Sequence, residues 1–252
     1  GKVNFITKIG NDKNGEMALN LYKSLGMDIA SIIQDKNHST GVAGIMVNEK
    51  TGDNAINIIP GAAGTLTNDD IEKNLNFISN TDIFLTQLET PYDVTKYALK
   101  KAKENKLTTI LNPAPACQIN DDDFKLIDFF TPNETEAEFY LNKKIETEKD
   151  IKIASEEFLK KGIKNIVITL GEKGCYFAND KENFFMNAFK LKEPVVDTTG
   201  AGDAFNGALA VGLSKDLDIK EVLTFANKVG AISTTTQGAA ASMPSMEDLN
   251  NY

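Results

Sequence analysis

The stretch DTTGAGD, Asp197 to Asp203, sets the small residues Gly200, Ala201 and Gly202 between two carboxylates. It runs directly into DAFNGALAVGL, so the segment from Gly200 to Leu213 reads as a helix rich in small residues. The free N–H groups at such a helix start face any anion placed there, and glycine lets the backbone come close to it. Asp203 stands at the mouth of this cradle and has alternative roles. It caps the helix dipole, or it accepts the proton of an attacking hydroxyl as a phosphoryl group is transferred. Asp197 is a candidate ligand for a hard cation.

Other stretches place polar residues where apolar runs end. In VITLGEKGCYF (167–177), Gly171-Glu172-Lys173-Gly174 is either a hairpin turn or a loop against nucleotide phosphates, with Lys173 supplying charge. In TPNETEAE (131–138), Pro132 ends a strand and Asn133 or Glu134 opens an acidic helix. Those side chains could organise metal-bound water, or simply favour the first turn. QLETP (87–91) puts Glu89 at the end of a buried strand, and LNPAPA (111–116) leaves another strand through stiffening prolines. Ligands of open α/β sheets bind at such carboxyl ends.

Composition narrows the chemistry. The chain has 252 residues, a net charge of −9 and no arginine. Bidentate arginine clamps are therefore excluded within this chain, and phosphate must be met by N–H groups, helix dipoles, lysines and metal ions. The negative charge argues against nonspecific nucleic-acid binding. His38, the single histidine, lies in the polar turn-like QDKNHST, and the cysteines Cys117 and Cys175 read as small buried thiols of a reducing compartment. That inventory argues against a zinc site. No apolar run approaches the ~18 residues of a membrane span, and residues 1–20 carry no signal-peptide pattern. There is no GxxxxGK[ST], and no GxGxxG follows the first strand, which leaves a Walker loop or a dinucleotide-binding site unsupported.

The elements that must position these residues alternate. VNFITKIG (3–10) reads as a strand, followed by a helix over Gly15 to Leu25. The runs at 83–89, 107–113, 129–133 and 165–171 are near-continuously apolar, as expected of strands buried on both faces. Amphipathic helices are predicted at 68–78, 92–105 and 148–161, with Thr67 and Thr147 as N-caps three residues before Asp70 and Asp150. A further helix is predicted over Ile219 to Ile232, before the polar STTTQGAAASMP. The pattern predicts a doubly wound α/β domain over 1–252, with a mostly parallel central sheet flanked by helices. Segment 40–64 departs from it: two β-like runs joined by NEKTGDN predict a hairpin, either a flap standing off the main sheet or a sheet-edge hairpin.

Taken together, DTTGAGDAFNGALA, TLGEKG, the N-x-x-E of Asn133 and Glu136, QLE-P and LNPAPA resemble the ribokinase-like (PfkB-type) carbohydrate kinase family, in order and across essentially the whole chain. The resemblance implies an ATP-dependent kinase acting on the primary 5-hydroxyl of D-ribose. Alternatives are a kinase of the same family acting on fructose, deoxyribose or a nucleoside, and a non-catalytic sugar- or nucleotide-binding relative. It implies Asp203 as general base and the amides of Gly200, Ala201 and Gly202 as anion hole. Nucleotide contacts are implied for Asn133, Thr169, Leu170, Gly171, Glu172, Lys173, Gly174, Gly202 and Asn227, and sugar contacts for Glu89 and Asp203. Glu136 is implied to organise Mg2+ through water. Asp197, Thr199, Ser233, Thr236, Gly238 and Ser242 are implied to hold an activating monovalent cation, K+. Segment 40–64 would be part of a β lid that also forms a homodimer contact, and the enzyme would be cytoplasmic, with ATP/ADP and a pentose as its partners. Members of the family begin with roughly fifty further residues that complete the lid and sugar pocket, and a chain lacking them is expected to show weak or absent activity, because positioning drives phosphoryl transfer.

Overall fold

In the computed structural model, which describes residues 1–47 and 54–252, the chain opens with β1 (Thr7–Gly10), α1 (Lys13–Ser24), β2 (Ile32–Asp35), β3 (Thr40–Val47) and β4 (Asn54–Gly61). There follow α2 (Asn68–Lys73), α3 (Leu75–Ser79), β5 (Ile83–Thr86), α4 (Tyr92–Glu104), β6 (Thr108–Leu111) and β7 (Phe129–Phe130). The rest comprises α5 (Glu134–Leu141), α6 (Glu148–Lys160), β8 (Asn165–Thr169), β9 (Cys175–Asn179), β10 (Asn183–Met186), α7 (Ala201–Leu213), α8 (Ile219–Ser233) and α9 (Met246–Asn250).

The central sheet has the order β10-β9-β8-β7-β6-β5, with β5 to β8 parallel and β9 and β10 antiparallel. Its apolar runs are buried on both faces because successive side chains point to opposite sides. Leu111, Phe130, Ile166 and Ile168 pack into one core with Leu99 and Phe158 of α4 and α6. Ile110, Phe129, Val167 and Phe177 pack into the other with Leu209 and Leu223 of α7 and α8. Helices on both faces of a mostly parallel sheet are the doubly wound arrangement that the alternation predicts.

Several boundaries differ from the sequence reading, each for a local reason. The predicted helix over 68–78 is broken into α2 and α3 at Asn74, whose side chain donates to the Asp70 carbonyl at 2.8 Å and takes the chain out of helical geometry. The strand expected over 3–10 is paired only from Thr7, apart from an isolated bridge between Asn4 and Asp28, and β1 joins β2 in a parallel pair of its own. The strands predicted over 83–89, 107–113, 129–133 and 165–171 all stop early, at Thr86, Leu111, Phe130 and Thr169. Thr67 and Thr147 are N-caps with complete capping boxes. The hairpin of segment 40–64 stands as its own antiparallel pair, β3 with β4, while the expected turn at NEKTGDN lies outside the described residues.

Candidate active site

Helix α7 starts where the glycines of DTTGAGD permit. Gly200 is its N-cap at φ +78, a left-handed conformation that disfavours any residue with a Cβ. Ala201 N–H donates to the Thr198 carbonyl at 3.2 Å, so the expected anion hole is not built from three equivalent amides. The N–H groups of Gly200, Gly202 and Asp203 meet no protein acceptor among the described residues. A Cβ at Gly202 would find nothing within 4 Å, so the space over this turn is open to a ligand.

Asp203 lies in the first turn of α7. Its Oδ1 accepts from Gln87 Nε2 at 2.7 Å, a residue just past the end of β5. Glu89 follows on the same segment, which Leu88 anchors by donating its N–H to the Ala114 carbonyl of the LNPAPA loop at 2.9 Å. Both carboxylates keep solvent-accessible surface, yet protein crowds them. That crowding pushes Asp203 above the ordinary carboxylate range, with the Gln87 hydrogen bond opposing it. Glu89 is pushed up by burial first and by the charge of Asp203 second. The site therefore holds a base of raised affinity for protons next to an open N–H cradle.

The residues expected around the nucleotide converge on the ends of β7 and β8. Asn133 is the N-cap of α5 and forms a reciprocal box with Glu136: Glu136 N–H donates to Asn133 Oδ1 at 2.8 Å, and Asn133 N–H donates to Glu136 Oε2 at 2.9 Å. The N-x-x-E spacing is thus first a helix start. It leaves Glu136 Oε1 without a protein partner among the described residues, and burial raises the Glu136 carboxyl. Asn133 is bridged to Thr169 at the end of β8, and Thr169 N–H donates to the Pro132 carbonyl at 2.9 Å. From Thr169 the chain turns through Leu170, Gly171, Glu172 and Lys173 to Gly174, closed by Leu170 N–H on the Gly174 carbonyl at 2.8 Å. Asn227 of α8 is buried, and its amide donates to Cys175 Sγ at 3.4 Å directly behind this turn. Burial pushes the Cys175 thiol up to about 11, as expected of an inert buried cysteine. His38 is half exposed on a loop beside Asp35.

The residues expected around a monovalent cation are only partly joined. Buried Asp197 accepts from Thr199 N–H on Oδ1 and from Gly238 N–H on Oδ2, both at 2.9 Å. The Thr199 side chain first, and these two N–H groups after it, hold its carboxyl below the usual carboxylate range. No lysine forms an ion pair with it among the described residues. The hydroxyls of Ser233 and Ser242 instead donate to nearby carbonyls, those of Gly230 and Ala239, and Thr236 is exposed. Sequence reasoning passed over Gln87, Asn112, Thr131 and Asn206, although the first three are the polar residues that end the runs IFLT, TTIL and FF.

The chain matches the family described as pfkB family carbohydrate kinase over residues 1–246. It is 38% identical over 247 residues to the ribokinase of Staphylococcus aureus (strain COL), a match spanning 98% of this chain and 80% of that protein. Its fold resembles the crystal structure of ribokinase from Thermotoga maritima with a TM-score of 0.85 at 38% identity, covering 98% of this chain and 80% of that one. The Arabidopsis thaliana ribokinase complexed with ribose and ATP is similar at a TM-score of 0.86 and 27% identity, with 98% and 80% covered. A family match over residues 1–246, with a relative 38% identical over 98% of the chain, shows that the chain belongs to the pfkB family of carbohydrate kinases.

Proposed function

We infer that the chain is an ATP-dependent sugar kinase that phosphorylates the primary 5-hydroxyl of D-ribose, giving D-ribose 5-phosphate and ADP. The observation that carries this reading is Asp203 beside the open amides of Gly200 and Gly202, in a chain similar to ribokinases over 98% of its length. Asp203 Oδ2, free of protein partners among the described residues, takes the proton of the hydroxyl as its oxygen attacks the γ-phosphorus. The bond to the β-phosphate oxygen breaks in line, and ADP leaves. Charge on the transferring phosphoryl group meets the N–H groups and dipole of α7, which supply stabilisation without any arginine.

Glu89, whose carboxyl is raised in part by the charge of Asp203, holds the sugar hydroxyls in this reading. The turn from Thr169 to Gly174, with Asn133, cradles the nucleotide, and Asn227 supports that turn from behind through Cys175. Glu136 Oε1 fits a water-mediated contact to Mg2+, which when bound with ATP neutralises phosphate charge. Asp197 fits a weakly held monovalent cation: it is buried, its carboxyl is held below the usual range, and no lysine pairs with it among the described residues. Thr199 and Gly238 are its immediate neighbours in that role, with Ser233, Thr236 and Ser242 on the surrounding turns.

Substrate choice is read from initial rates with ATP and a panel of ribose, deoxyribose, fructose and nucleosides. Ribose is expected to give the highest kcat/KM, and an about tenfold preference for another acceptor contradicts the assignment. For the cation, turnover is expected to rise severalfold when potassium replaces sodium at constant ionic strength. Equal rates in the two buffers remove the cation from the account.

A further inference from the structure

The side chain of Asp203 is held from outside its own helix. Gln87 Nε2 donates both to Asp203 Oδ1 at 2.7 Å and to Asn112 Oδ1 at 2.9 Å. The orientation of that amide follows from its partners. Asn112 Nδ2 is committed to the Thr131 carbonyl at 3.0 Å, so Asn112 presents Oδ1 to Gln87. A carboxylate only accepts, so the reversed Gln87 amide would set oxygen against oxygen on both sides.

The arrangement grows out of the sheet. Strands β5, β6 and β7 are in register at Thr86, Leu111 and Phe130, so the next residue of each, Gln87, Asn112 and Thr131, falls in a row along the carboxyl edge. Backbone bonds from Asn112 N–H to the Thr86 carbonyl and from Thr131 N–H to the Leu111 carbonyl, both at 3.0 Å, lock the row. Thr131 Oγ1 then donates to Asn206 Oδ1 at 2.7 Å, and Asn206 Nδ2 donates to the Gly202 carbonyl at 2.8 Å. Asn112, Thr131 and Asn206 are only 7%, 1% and 3% exposed. The hydrogen bonds leave the carboxylate of Asp203 and return to the backbone of the anion cradle.

We propose that Gln87 is a positioning residue for phosphoryl transfer: its carboxamide grips Oδ1 of Asp203, fixes the carboxylate against the cradle and leaves Oδ2 as the oxygen that takes the substrate proton. The row Asn112–Thr131–Asn206 makes that grip rigid, because each member is satisfied by the next. A hydrogen bond to the charged form also keeps the base ionised against the crowding around it. Glu89, on the same segment as Gln87, is the titratable group coupled to Asp203, whose charge raises the Glu89 carboxyl. No lysine ion-pairs with Asp203 among the described residues.

The proposal rests on Asp203 being the base, so its test reads the carboxylate and the reaction separately. The carboxyl carbon of Asp203 is titrated by NMR in the unliganded wild-type chain and in Gln87→Leu, with Asp203→Asn identifying the signal. The pH dependence of kcat/KM is measured on the same proteins. In Gln87→Leu the Asp203 titration is expected to move up by about one pH unit, and the acid limb of kcat/KM with it. The kcat at neutral pH is expected to fall about tenfold while KM for ATP stays within about twofold. Gln87→Glu keeps the size and adds a competing carboxylate, so it moves both further and serves if the leucine variant does not fold. An Asp203 titration unchanged in both variants, or an unmoved acid limb, overturns the proposal. A moved titration with Asp203→Asn as active as wild type overturns the base assignment beneath it.

Discussion

Gly174 and Gly202 are needed for opposite reasons. Gly174 sits at φ +97, and a Cβ there would lie 2.1 Å from the Met186 carbonyl oxygen and 2.5 Å from Ala188 N. Neither is a flexible side-chain end, so the backbone would have to move. Gly202 is an ordinary helical residue with nothing within 4 Å of its Cβ position. Gly174→Ala is therefore expected to destabilise the fold by about 2 kcal/mol or more, read by denaturant unfolding. Gly202→Ala is expected to keep or slightly raise stability, as alanine does within a helix. It nonetheless lowers kcat at least about tenfold, because the methyl enters the space over the cradle. A Gly202→Ala enzyme of wild-type turnover would show that the transferring group does not sit there. Both glycines were legible in DTTGAGD and GEKG as positions of close backbone approach. Their different grounds were not, because φ and the neighbouring Met186 belong to the folded chain.

At the scale of elements, the β3–β4 hairpin is fixed at its base and open along its blade. Asp12, the N-cap of α1, accepts Thr40 N–H at 2.8 Å and Thr40 Oγ1 at 2.7 Å, while Gly10 N–H donates to that same hydroxyl at 2.9 Å. Beyond this clasp Val42, Ile45, Met46, Ile58 and Ile59 are exposed, Met46 by 66%. Exposed apolar residues concentrated on one element mark a contact surface. We propose a homodimer through this hairpin. Sedimentation of the wild-type chain is expected to give a dimer at micromolar concentration, and Ile45→Lys with Ile59→Lys a monomer. A monomeric wild type sinks the idea. The hairpin was readable from two β-like runs without a helix between them. The strand ends were not, since periodicity continues through Gln87, Asn112 and Thr131, where the ladder has already stopped. Those overshoots are where the sheet hands its residues to the site.

Across the whole molecule, the absence of arginine leaves phosphate to be met by N–H groups, helix dipoles, lysines and metal ions. That much followed from composition, and the doubly wound fold followed from alternation. The pairing of Gln87 with Asp203 did not, because 116 residues separate them and only the register of β5 to β7 brings them together. The separate β1–β2 pair was likewise invisible in a strand pattern that names no partner.

The central claim is that Asp203 removes the proton from the attacking hydroxyl. Its folded-state pKa is raised, so its contribution to stability is present below the unfolded value and is lost as pH rises through the folded one. At neutral pH the ionised carboxylate therefore costs stability, and Asp203→Asn is expected to fold with an equal or slightly higher Tm. The decisive measurement is ADP release with ribose and MgATP by the wild-type chain and by Asp203→Asn, beside calorimetric binding of ATP. The account predicts a loss of kcat of about 10²–10⁴-fold with ATP affinity retained. A variant that releases ADP within about twofold of the wild-type rate would contradict it.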